Sequence, residues 1–401
     1  MLNNTTRVFL ISHFLLFSAP VLAEGIIDVK PFISSNINYD DNVFRFSSPD
    51  QARAAFGSST TSDVVKRLDI GVDVNLRLSR QLVTLSSSIN ESRYNRFDIL
   101  DNTGKSNRLA WNWRVGSDLY GELSVSENEA IAGFTEIRQP IKNLRTSTKE
   151  RASINWNLLS NWTVNATREH SKSENDLPTY NALDRDEEVF ETGLRYQTTA
   201  GTQLGLAYRV AESKFPNRAG FTQVVFGDES TQKEIAFTAA WVPSPKTRIS
   251  TRLAQVSLET KDLPQREFSG FSQRWNLDHS LTAKVNLNLT AYQEVSPIDD
   301  VLSTYVKTKG FSINPVWNIT NKTALRAGLG YEQRDYLGSS LFLGNSENRN
   351  DDSTMANLAL IYSPTDKSIV QLQYQGEKRS SNIGDFGYEF NSVNFLLRYD
   401  F

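Results

Sequence analysis

Along most of this chain apolar and polar residues alternate one for one. Leu109, Trp111, Trp113 and Val115 interleave with Ala110, Asn112 and Arg114. Ala152, Ile154, Trp156 and Leu158 interleave with Arg151, Ser153, Asn155 and Asn157, and the same phase recurs at Leu204, Leu206, Tyr208 and Val210 and at Ile235, Phe237, Ala239 and Trp241. Side chains of a strand point alternately to its two faces, so period two predicts strands with one apolar and one polar face. Eight very short turns join these segments in pairs: Ser79-Arg80-Gln81, Gly116-Ser117-Asp118, Ser160-Asn161, Ala200-Gly201, Ser244-Pro245, Ala283-Lys284, Asn321-Lys322 and Thr365-Asp366. Their Gly, Pro, Asn, Asp and Ser are residues that tight turns use. Longer polar loops separate the pairs. The eight hairpins predict sixteen strands, and one more before them (about 26–38) and after them (about 388–401) give about eighteen, with sixteen as the alternative count.

Alternation alone fits a soluble sandwich as well as a membrane barrel. Two features favour the barrel. Turns are short at one end of the strands while most loops at the other are long, the asymmetry of periplasmic turns and extracellular loops. Six of the seven Trp (111, 113, 156, 162, 241, 317) lie within five residues of a short turn. Indole is apolar in body and polar at its N–H, so a girdle at one membrane interface places it there. The expected fold is therefore all-β: a transmembrane antiparallel up-and-down β-barrel with both chain ends in the periplasm.

The end of the chain adds to this. Val393, Phe395, Leu397, Tyr399 and Phe401 are all apolar or aromatic at alternate positions, and the set resembles the terminal-strand signal read by the barrel-assembly machinery of Gram-negative bacteria. At the other end, Arg7, the apolar run 8–17 and the small-residue pattern Val21-Leu22-Ala23 predict a secretory signal over residues 1–23, cleaved on export through the Sec pathway, and one barrel domain over 24–401. The run is too short for a spanning helix, which needs about 20 residues.

Composition narrows the function. Mean hydropathy is −0.43, as expected when half of each strand faces a polar lumen. The absence of Cys excludes disulfides, thiolate metal sites and Cys nucleophiles. Taking Arg7 and no acid from the 43 basic and 46 acidic residues leaves 42 against 46, with no basic pole for a nucleic acid. Beyond the signal only His170 and His279 remain. His170 and Ser171 are strand neighbours pointing to opposite faces, so they make no catalytic pair. No cofactor or metal motif is present, and the expectation is a non-enzyme.

Two sets of charged residues are candidate sites. Arg114, Arg151, Arg195, Arg209, Arg252 and Arg326 all fall in the polar phase. Facing a lumen, they would either bind acidic sugars or phosphates by bidentate hydrogen bonds, or pair with acids such as Glu122 and Glu191 and fill the barrel. Carboxylates gather near the long loops at Asp40-Asp41, at Asp184 to Glu188, at Asp299-Asp300 and at Asp351-Asp352. These are either turn chemistry or oxygens for Ca²⁺ and bridging to lipopolysaccharide.

Two motifs carry a family resemblance. Tyr39-Asp40-Asp41-Asn42-Val43-Phe44-Arg45 resembles the start of outer-membrane barrels linked to surface polysaccharides. Asn143-Leu144-Arg145-Thr146, followed by a strand bearing Trp156, a tight turn and Trp162, resembles the EpsL-type barrels of exosortase-associated exopolysaccharide clusters, methanolan biosynthesis among them. The turn departs from that pattern: Asn157-Leu158-Leu159-Ser160 stands where a more aromatic, His- and Pro-containing turn is expected. The resemblance implies a barrel taking part in polysaccharide biosynthesis or export, as conduit or export-site component, with a polysaccharide and periplasmic export proteins as partners. It brings no catalytic residues. The alternative is a general diffusion porin or small-solute channel, which should have a long loop folding inward and a constriction with opposed acidic and basic arcs, neither of which an export barrel needs.

Overall fold

The computed structural model describes residues 26–135, 138–297, 303, 305–338 and 349–401. The expected signal segment and the Asp299-Asp300 pair lie outside them. Among the described residues are eighteen strands: β1 (Ile27–Asp40), β2 (Asp63–Leu78), β3 (Gln81–Tyr94), β4 (Asn102–Val115), β5 (Leu119–Ile131), β6 (Leu144–Leu159), β7 (Trp162–Asn175), β8 (Arg185–Gln197) and β9 (Gln203–Lys214) form the first half. The second half is β10 (Glu229–Ser244), β11 (Thr247–Thr260), β12 (Phe268–Ser280), β13 (Val285–Pro297), β14 (Tyr305–Asn318), β15 (Thr323–Leu337), β16 (Asn350–Thr365), β17 (Ser368–Ser381) and β18 (Tyr388–Asp400). Each pairs antiparallel with its chain neighbours, and β1 closes on β18 from Phe32↔Asp400 to Asp40↔Ser392. Closure leaves no open edge, which lipid, offering no hydrogen bonds, would penalise. The eighteen-strand expectation holds.

The register fixes what faces outward. Leu194, Leu206, Phe237 and Leu253 lie side by side across β8–β11, and the first three are exposed although apolar. Trp111, Trp156, Trp162, Trp241 and Trp317 share that outward phase and are exposed, with Trp113 half-buried in the same phase, forming the expected girdle near the short turns. Trp275, also outward, lies farther from its turn. Val393, Phe395, Leu397, Tyr399 and Phe401 lie outward too. Tyr399 and Phe401 meet edge to face at 5.2 Å, and the Phe401 N–H donates to Pro31 O at 2.9 Å, stitching the last residue to the first strand.

The first long loop, residues 41–62, contains a helix, α1 (Pro49–Phe56), that alternation could not reveal. Its signals are local: Ser48 Oγ accepts the Gln51 N–H, Pro49 opens the helix, and Gly57 at φ 75° closes it. A second short helix, α2 (Phe221–Phe226), lies in the loop between β9 and β10.

Candidate functional site

Two places in the barrel collect unusual side chains: the lumen wall and the long-loop mouth. On the wall, residues one step out of phase with the apolar set face inward, and all six arginines singled out above do so. In register, Arg195 adjoins Gly205, Gly205 adjoins Thr238, and Thr238 adjoins Arg252. The structure does not bring the six together. Arg114, Arg195 and Arg326 sit within three or four residues of the short turns, at the short-turn mouth, and none has a carboxylate partner among the described residues. Arg114 lies over the Tyr120 ring at 5.2 Å.

The other three stand higher and face acids. Arg151 pairs with Glu169 at 3.3 Å, a carboxylate that Lys149 also reaches at 2.7 Å. Arg252 bridges Glu191 at 3.2 Å and Glu234 at 2.8 Å, while Arg209 lies directly opposite both acids in register. That makes two cations against two anions. Glu122 pairs instead with Arg108, at 3.2 Å. Sequence reasoning missed the continuation onto the next strands, where Arg274 meets Glu294 at 2.7 Å and Arg334 meets Glu332 at 2.6 Å. The Tyr292 hydroxyl donates to Glu332 at 2.5 Å. With Glu234 and Arg252 these line a recess of about 470 Å³ in the wall. The same period-two phase that marked the six arginines could have marked these.

At the mouth, the first long loop turns inward. Arg45 grips Asp40 through both guanidinium nitrogens, at 2.8 and 2.9 Å, and its guanidinium lies 3.5 Å from the centre of the inward-facing Phe390 ring. Asn42 Nδ2 donates to Phe46 O and to Glu389 O on β18, while Asp41 accepts from the backbone and side chain of Asn391. Arg45 holds φ 57°, a left-handed conformation costly for a side-chain-bearing residue and kept here by these contacts. Beyond it Phe44 is fully buried, packed by Phe46, Phe56, Phe97, Phe134 and the inward-facing Tyr94. The second loop (95–101) is tied down by Asp63, whose carboxylate accepts the N–H groups of Asn95, Arg96 and Phe97. In that loop the Tyr94 N–H, donating at 2.7 Å, holds the Asp101 carboxyl below the usual carboxylate range.

Among the described residues, carboxylates of the acidic clusters are engaged by protein partners. Asp351 is fully buried between Arg349, at 2.7 Å, and Arg379, which also donates to the Tyr336 hydroxyl at 2.8 Å. Arg349 stacks on Phe386 at 3.6 Å, and Arg138 of the third loop donates to Phe386 O at 2.9 Å, locking the last loop (382–387) to the third. Asp352 faces outward and accepts from the Tyr331 hydroxyl. Asp184 accepts from Asn175 and Asn217. Arg185 to Glu188 lie in β8, where Glu187 faces inward and Asp186 and Glu188 outward, so their carboxylates diverge. No group of three metal-ligating side chains occurs among the described residues. Outward, His170 meets Asp186 at 2.9 Å, on the face opposite Ser171.

The residues that carry the family resemblance are structural. Asn143 is buried, and its Nδ2 donates to Asn175 Oδ1 at 2.8 Å, where Arg145 Nε also donates. They join the start of β6 to the end of β7.

No family model matches the chain, and no curated protein is similar to it in sequence. Its fold is that of outer-membrane barrels. OccK2 (OpdF) of Pseudomonas aeruginosa, solved with glucuronate, is 9% identical with a TM-score of 0.51 over 93% of this chain and 98% of that one. OpdQ of the same organism is 9% identical with a TM-score of 0.51 over 94% and 97%. A variant of the ferric enterobactin receptor PfeA, solved with enterobactin, is 10% identical with a TM-score of 0.51 over 93% and 81%. At these identities the likeness is one of fold.

Proposed function

We propose that this chain is an outer-membrane channel for small polar solutes. The carrying observation is the mouth: the first long loop is latched by Arg45 to Asp40 and to the inward-facing Phe390, at the long-loop end of a polar, charge-lined lumen. An eighteen-strand barrel encloses more space than side chains fill, leaving an aqueous path or a plugged one. Liposomes containing the purified protein should swell in small polar solutes and not in large polymers, and vesicles that stay impermeable to both would overturn the reading. Outer-membrane lipid, lipopolysaccharide and the barrel-assembly machinery are its proposed partners.

A second reading, a conduit or export-site component for an extracellular polysaccharide, rests on the resemblances at Tyr39–Arg45 and Asn143–Thr146. Arg114, Arg195 and Arg326, without carboxylate partners among the described residues, would meet an acidic polymer or its periplasmic export proteins at the inner mouth. A strain lacking the gene separates the two. Lost polymer with normal solute uptake supports export, and the converse supports the channel.

A further inference from the structure

The lumen wall is not uniform. Across the middle of β6–β15 it carries paired charges, as in Arg252 with Glu191 and Glu234. Across the middle of β17, β18 and β1 its inward positions are neutral. Arg398, paired with Asp73 and Asp400, bounds that stretch at one end, and the charges around the Asp40–Arg45 and Asp351–Arg379 pairs bound it at the other. In register, Gln373 adjoins Asn394 and Asn394 adjoins Asn38, while Gln371 and Asn36 flank Leu396. All face inward and none is fully buried. Asn36 and Asn394 exchange hydrogen bonds at 3.0 Å, Ser392 donates to Asn38 Oδ1 at 2.7 Å and Gln371 Nε2 to Gln373 Oε1 at 2.9 Å.

What remains uncommitted is informative. Gln375, exposed in the same phase, has no protein partner among the described residues, and Gln373 Nε2 and Asn38 Nδ2 donate to none. The wall therefore offers spare donors and acceptors without charge. We infer that this amide wall binds neutral polyhydroxylated solutes of oligosaccharide type as they pass the lumen. An amide sets donor and acceptor side by side, matching the two faces of a vicinal diol, and Leu396 between Gln371 and Asn36 gives a sugar ring's C–H face an apolar seat. An anion would be recognised instead by unpaired cations, which this wall lacks. The wall lies just below the Asp40–Arg45 latch, and two of its three strands, β1 and β18, carry that latch.

This inference deepens the channel reading, and the test keeps the two apart. Purified protein in detergent is titrated with maltohexaose and with hexagalacturonate, and the potassium chloride conductance of the same preparation is recorded in planar bilayers. The combined variant Gln371→Ala, Gln373→Ala, Gln375→Ala is compared with the unaltered chain, heat-modifiable migration confirming that both are folded. Maltohexaose should bind better than the uronate, and the variant should lose about ten-fold in affinity, as expected from removing a few net hydrogen bonds, with its conductance intact. No maltohexaose binding, preference for the uronate, or undiminished binding by the folded variant would overturn the amide wall. Binding without conductance would uphold the wall and overturn the channel.

Discussion

Arg45 folds back five residues to hold both carboxylate oxygens of Asp40, at 2.8 and 2.9 Å, where both side chains are largely buried. Removing one member of a buried pair leaves the other uncompensated and costs about 3–5 kcal/mol. Arg45→Ala should therefore free the first loop without unfolding the barrel. Trypsin cleavage at Arg53, within α1, should become fast in the variant. Equal protection in both chains would mean that the aromatic packing around Phe44 holds the loop alone.

Asp351 gives a sharper stability contrast. It is fully buried between two arginines, while its neighbour Asp352 is exposed on the outer face. Asp351→Ala removes the buried carboxylate that Arg349 and Arg379 share and should cost about 3–5 kcal/mol. Asp352→Ala should stay within about 0.5 kcal/mol. Thermal unfolding of the two variants, followed by gel mobility, measures the difference, and similar midpoints would contradict the buried role.

Phe237 and Thr238 are adjacent on β10 but lie on opposite faces of the wall, Phe237 exposed toward lipid and Thr238 toward the lumen. A charge near the middle of the lipid face costs about 2–4 kcal/mol and a lumen charge little. Phe237→Arg should lower the yield of folded barrel well below that of Thr238→Arg. Equal yields would mean that inner and outer faces are exchanged.

The last strand separates assembly from stability. Tyr399 and Phe401 are exposed on the outer face and meet edge to face, so changing both to Ser removes little buried packing. We expect folded protein in outer-membrane fractions to fall while the purified variant refolds in detergent as the unaltered chain does. Normal amounts in the membrane would contradict an assembly signal.

Strand number, turn positions and outward phase were legible because each is a local property: period two, turn residues and the Trp placement. The mouth was not. Asp40 and Arg45 read equally well as turn chemistry or cation ligands, and only the fold shows Phe390 beneath them. Asp351 looked like a loop carboxylate because its partner Arg379 is 28 residues away on another strand. Helix α1 was signalled by Ser48, Pro49 and Gly57 but lies in a loop where alternation says nothing. The six arginines share the phase opposite the exposed apolar set. Their height along the barrel, which divides three rim residues from three wall residues, becomes clear only from the strand ends.

The central claim is a polar path narrowed by a latched loop, and ionic conductance in planar bilayers tests it most directly. The unaltered chain should give discrete conductance steps, and Arg45→Ala should give larger ones as the loop swings away from Phe390. A folded barrel that carries no current in either form would contradict the account.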